Sequence, residues 1–163
     1  MSIPKAFLSH QSKDKPFVEA LGAFLRLNGV DVFIDAWDIF GGDSIPREIE
    51  EALDSCDLFL YVLSPAAAES KWVQAEYHAY LYRKLNDQRL RIIPILREQS
   101  KAPPLIAPLR ALDFRGTETA HLEVGQGGNS GQELLKAIFR TPQNRLWEDR
   151  TLRWRVMNFI FSL

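Results

Sequence analysis

The chain has 163 residues, 46% of them hydrophobic and 25% charged, which fits one soluble globular domain rather than a disordered protein. Its 20 Lys and Arg against 21 Asp and Glu leave a net charge of −1, so no basic face for nucleic acid is implied. The single cysteine, Cys56, excludes an intramolecular disulfide and fits a reducing compartment. The start, MSIPKAFLSH, lacks the pattern of a secretory leader. No apolar run reaches the length of a membrane-spanning helix, so a cytoplasmic protein with no membrane contact is expected.

Lys5 to Ser9 (KAFLS) reads as a first strand. Phe17, Leu21, Phe24 and Leu25 then recur at helical spacing, and Asn28-Gly29 is a C-cap pair. Val30 to Asp35 (VDVFID) is a second strand, rich in β-branched and aromatic residues. A loop from Ala36 to Pro46 follows, with Gly41-Gly42 at its middle, and Ile45, Ile49, Ala52 and Leu53 form the next helical stripe. Asp57 to Leu63 (DLFLYVL) is almost continuously apolar, the mark of a strand covered on both faces. A helix is expected from an N-cap at Ser70 to about Lys84. Arg91 to Leu96 (RIIPIL) is a fourth strand in which Pro94 suggests an edge or a bulge. Lys101 to Pro108 reads as a loop, Ala111 to Phe114 as a short fifth strand, Gly125 to Gly131 as a Gly-rich linker, and Gln132 to Phe139 as a helix.

Strands alternating with helices predict βαβ units and a mainly parallel sheet wound right-handed. Ligands of such sheets sit outside the carboxyl ends of the strands, which puts Ser9, Asp35 and Ser64 on one functional edge. From Thr141 onward the pattern changes. Leu152, Val156, Phe159, Ile160 and Leu163 keep helical spacing, and the chain ends in FIFSL. A domain over 1–140 is therefore expected, with 141–163 as a docked helix or a linker to a further domain.

Five features recur in order: AFLSHQSKD at 6–14, VFIDAWDIFGGDSI at 32–45, YVLSP at 61–65, SKWVQAE at 70–76, and the βαβ order that links them. Together they resemble the Toll/interleukin-1 receptor (TIR) domain family, over roughly the first hundred residues. The resemblance implies a flavodoxin-like three-layer α/β fold, with a central parallel sheet of about five strands and helices on both faces. It also implies NAD+ as substrate rather than cofactor, cleaved at the nicotinamide–ribose bond to give ADP-ribose or a cyclic isomer. Such domains often serve immune defence and become active on assembly. The loop from Ala36 to Pro46, the family's BB loop, would then reach a neighbouring subunit's cleft, and a head-to-tail contact of this kind builds filaments when it does not close. A separate sensor domain or partner protein would supply the trigger.

On that reading Glu76 is the catalytic carboxylate. Trp72 and Glu76 lie four apart on the expected helix and share a face. An indole attracts the cationic nicotinamide ring. Nicotinamide departs as a neutral molecule and needs no proton, so one ionised carboxylate that stabilises the oxocarbenium-like ribose suffices. Taken alone, Trp-x-x-x-Glu describes just as well a core Trp and a solvated Glu. Asp35 and Trp37 could hold ribose hydroxyls or orient the loop, although Asp also suits a loop start. Ser9, His10 and Ser64 could meet phosphate or ribose; the plain alternative for His10 is a surface residue. Phe40 could close over substrate or touch a neighbour.

The run GQGGNSG at 125–131 has the look of a dinucleotide fingerprint but comes too late in the chain to be one. Ser64 lacks the G-x-S-x-G surroundings of a nucleophile, Cys56 suits a core position, and no Cys/His cluster has metal spacing. Two alternatives stand beside the enzyme: a non-catalytic TIR adaptor that signals by self-association, and a nucleoside deoxyribosyltransferase on a similar sheet.

Overall fold

The computed structural model describes residues 3–36, 47–65, 90–102 and 106–139. Five strands form one parallel sheet: β1 (Lys5–His10), β2 (Asp31–Ala36), β3 (Leu58–Leu63), β4 (Arg91–Leu96) and β5 (Leu112–Asp113). Their order across the sheet is β2-β1-β3-β4-β5, the doubly wound flavodoxin-like arrangement. The helices among the described residues are α1 (Lys15–Leu27), α2 (Arg47–Ser55), α3 (Thr119–Glu123) and α4 (Gly128–Phe139), and a 3-10 turn (Ser12–Asp14) precedes α1.

The layers follow from side-chain alternation along each strand. Ala6 and Leu8 of β1, with Leu58, Leu60 and Val62 of β3, face one core, which α1, α3 and α4 close with Phe17, Leu21, Phe24, Leu122, Leu134 and Ile138. Phe7, Phe59 and Tyr61 face the other, where α2 adds Ile49 and Leu53. Phe7 stacks on Phe33 at 5.3 Å and on Phe59 at 5.5 Å, tying the three strands of that face together. All of β3 is buried, as its unbroken apolar run predicts.

Helix α1 stops where the Asn28-Gly29 pair says it should. Gly29 takes φ +83°, its amide donates to the Arg26 carbonyl, and the Val30 amide donates to the Leu25 carbonyl, a Schellman cap. The Asn28 side chain adds a bond to the Phe24 carbonyl at 2.7 Å.

Pro94 sits in an interior strand, not on the sheet's edge, and the geometry shows why it is tolerated. The Arg91 and Arg97 amides donate to the Asp57 and Leu63 carbonyls on the β3 side. Alternation therefore turns the Pro94 nitrogen toward β5. β5 pairs with β4 only at Ile95 and Leu96, so the missing N–H removes no ladder bond.

The Gly-rich run is not a linker. Its second half is the first turn of α4, and its glycines allow close packing. A Cβ on Gly131 would lie 2.8 Å from the Phe24 ring, and one on Gly127 would lie 2.7 Å from both that ring and the Gly131 backbone. Helix α3, just before it, is absent from the sequence reading, because at five residues it is too short to show a period.

Candidate functional site

The strand order reverses between β1 and β3, so the crevice beyond their carboxyl ends is the expected ligand position. Ser9 and Asp35 stand side by side there in the β1–β2 register, and Ser9 also pairs with Tyr61 of β3. Ser64 follows the last residue of β3. The structure thus brings Ser9, Asp35 and Ser64 to one edge of the sheet. It does not turn Ser9 and His10 the same way, since consecutive strand residues face opposite sides. His10 is 4% exposed, a buried residue and not the surface residue considered above. Trp37, Phe40, Trp72 and Glu76, the remainder of the loop from 36 to 46, the helix expected from Ser70 and the tail from Thr141 lie outside the described residues.

At the switch point itself the two loops are locked together. The Ser64 hydroxyl donates to an Asp14 carboxylate oxygen at 2.5 Å, and both residues are buried, at 2% and 6% exposure. Asp14 closes the 3-10 turn and is the N-cap residue of α1, yet its side chain makes no cap bond to the helix; it bonds to Ser64 instead. A buried carboxylate needs such a donor, because leaving it unsatisfied would cost the full desolvation of the group. Asp14, between Lys13 and Lys15, was not singled out by the sequence. The one available signal was its place inside AFLSHQSKD.

A second fastener, Arg97, follows β4. Its guanidinium donates to the Phe114 and Thr117 carbonyls at 3.3 and 3.0 Å and lies 4.5 Å from the centre of the Phe17 ring. It ties the segment after β5 to α1, so its charge is engaged within the protein. Arg115 is likewise engaged with both Asp113 oxygens, at 2.9 and 2.8 Å. Those bonds hold the Asp113 carboxyl at about 2.

Two buried titratable groups complete the α2 face. Burial pushes the Tyr61 hydroxyl up to about 12 and the Cys56 thiol up to about 11, which keeps both neutral near pH 7. Cys56 is buried and free, a core residue as expected from its apolar stripe and not a nucleophile.

Comparison with known proteins agrees with this architecture. The family model described as TIR domain matches residues 6–124. A protein of Paracoccus denitrificans named NAD(+) hydrolase PdTIR is 38% identical over 96 residues, which cover 58% of this chain and 32% of that protein. One from Bacteroides thetaiotaomicron named 2' cyclic ADP-D-ribose synthase BtTIR is 30% identical over 96 residues, covering 58% and 33%. The chain thus spans about a third of the length of the curated relatives it matches. Among solved structures, the RPS4 and RRS1 TIR domain heterodimer aligns with a TM-score of 0.59 at 15% identity, covering 83% of this chain and 99% of that one. The TIR domain of a Toll-related receptor from Hydra magnipapillata aligns with a TM-score of 0.57 at 18% identity, covering 84% and 98%. These two likenesses concern the fold.

Proposed function

The chain belongs to the TIR domain family, and from that premise we propose that it cleaves NAD+ at the nicotinamide–ribose bond, with Glu76 as the catalytic carboxylate. The observation that carries this reading is its 38% identity, over 96 residues, to a protein named as an NAD(+) hydrolase. The switch-point geometry supports it. The Ser64–Asp14 bond fixes the chain at the carboxyl end of β3, and Glu76 follows Ser64 by twelve residues.

The chemistry asks little of the protein. The C–N bond breaks with its electron pair going to nicotinamide, which leaves neutral. The ribose carbon gains positive charge, which an ionised Glu76 stabilises. Water then attacks that carbon, giving ADP-ribose and a released proton; attack by one of the molecule's own hydroxyl groups gives a cyclic isomer instead. Trp72 offers an indole face to the pyridinium. Ser9, His10, Asp35, Trp37, Phe40 and Ser64 bind or frame the substrate. NAD+ is consumed as substrate, with no separate cofactor or metal. The catalytic domain spans 1–140, and 141–163 is a helix or the start of a linker. Activity rises on self-association through the loop from 36 to 46, in the setting of a cytoplasmic defence response.

The test is release of nicotinamide by the concentrated protein, compared with Glu76→Gln and Glu76→Ala. Both variants should fold as the parent does and lose activity by about a hundredfold or more, the size of effect that removal of one transition-state stabiliser produces. Full activity in both variants would refute the assignment of Glu76. No nicotinamide from the parent at any concentration would favour the adaptor.

A further inference from the structure

We propose that a hollow between β4, the lead-in to β5 and α4 binds a phosphate monoester of mononucleotide size, at a site separate from the NAD+ cleft. The hollow is an open groove of about 460 Å³, within the volume range of small-molecule sites. Its place follows from the sheet. Because β5 meets β4 only at Ile95 and Leu96, the flank of β4 from Arg91 to Ile93 that faces away from β3 has no strand beside it among the described residues, and α4 passes alongside instead.

The lining has a chemical direction. Three cations, Arg91, Arg110 and Lys136, border the hollow with one carboxylate, Glu133. Glu133 lies 3.8 Å from Arg110, and among the described residues no carboxylate pairs with Lys136. The surplus is two positive charges. A phosphate monoester carries between about 1.5 and 2 negative charges at pH 7, so it would balance that surplus where a single carboxylate would not. The site is anchored, because the half-buried Arg91 donates to the Ala137 carbonyl in the last turn of α4, which fixes one wall to the other. Backbone alternation adds a donor: the pattern that turns the Pro94 nitrogen away from β3 turns the Ile92 amide the same way, toward the hollow. Ile93, Leu109 and Leu112 supply an apolar floor, suited to the face of a base or sugar.

The hollow opens beside Arg91, where β4 begins, whereas His10 is the last residue of β1 and Ser64 lies just past the end of β3. A strand of six residues separates the two edges by about 17 Å. One ligand as small as a mononucleotide cannot fill both sites.

The proposal is tested by calorimetric titration of the full chain with uridine 5′-monophosphate, with uridine as the control. A pyrimidine nucleotide avoids the adenylate half of NAD+. The variant is Arg110→Glu with Lys136→Glu, both exposed positions, and its thermal melt should match the parent's. The nucleotide should bind the parent, uridine should bind at least about tenfold more weakly, and the double variant should lose about tenfold in affinity for the nucleotide. Nicotinamide release by the double variant should equal the parent's, which separates this site from the cleft. Absence of nucleotide binding up to millimolar concentration would overturn the proposal. So would equal affinity for uridine, or equal affinity in a double variant that melts as the parent does.

Discussion

Ser64 shows how one hydroxyl can set the shape of a cleft. It stands just beyond the strand that borders the switch point, and its bond to Asp14 joins the loop after β3 to the loop after β1. Ser64→Ala removes the donor and leaves a buried carboxylate short of one partner. The expected cost is ~1–3 kcal/mol, the usual penalty for a deprived buried acceptor, read from urea unfolding. Asp14→Asn keeps an acceptor for the hydroxyl and should cost less. Equal stability of Ser64→Ala and the parent would show that the bond contributes nothing. Cys56 and Tyr61 act at the same scale on pH dependence. Burial raises Cys56 from 9.0 to about 11 and Tyr61 from 10.0 to about 12. Between those values the unfolded chain releases protons that the native state holds, so stability falls as pH rises. It should be fully present below pH 9 and decline from there to about 12, and Cys56→Ala with Tyr61→Phe should flatten that decline in melts taken across the range.

At the scale of elements, close approach is what the glycines of α4 provide. Gly131 meets Phe24 across the interface with α1, and a Cβ there would stand 2.8 Å from the ring, too near for any real contact. Gly131→Ala should therefore destabilise by ~1–3 kcal/mol, as overpacking does, and Phe24→Leu should recover part of the loss in the double variant. Two losses that simply add would exclude the contact as the cause. This pair also marks a limit of sequence reading. A run of glycines announces freedom of the backbone but not whether that freedom serves a loop or a packed helix, since the deciding partner, Phe24, lies about a hundred residues earlier. The strands were legible because alternation and unbroken apolar runs are local signals, and β1 to β4 lie within a residue of where those signals put them. The edge shared by Ser9, Asp35 and Ser64 was legible for the same reason: each sits at or beside the end of its strand. Asp14 was not, because burial of a charged side chain depends on a partner fifty residues away. Pro94 needed the length of β5, which no signal around residue 94 contains.

The whole molecule sets where association can occur. β2 is the border strand of the sheet and ends at Ala36, and Phe33 on that strand is exposed. Residues 37–46 follow it in the sequence and include Phe40. If that loop enters the cleft of a neighbouring copy, each cleft is complete only in company. Nicotinamide release per molecule should then climb with protein concentration rather than stay constant, and sedimentation should detect larger species over the same range. Phe40→Ala should abolish the climb while leaving the melting transition in place, since an aromatic anchor at a contact contributes about 2 kcal/mol or more. The head-to-tail geometry makes a further distinction. A mixture of Phe40→Ala with Glu76→Gln should regain activity, because the intact loop of the second can close on the intact carboxylate of the first. Mixtures as inactive as either variant alone would place loop and carboxylate in the same subunit's cleft and end the case for a shared site.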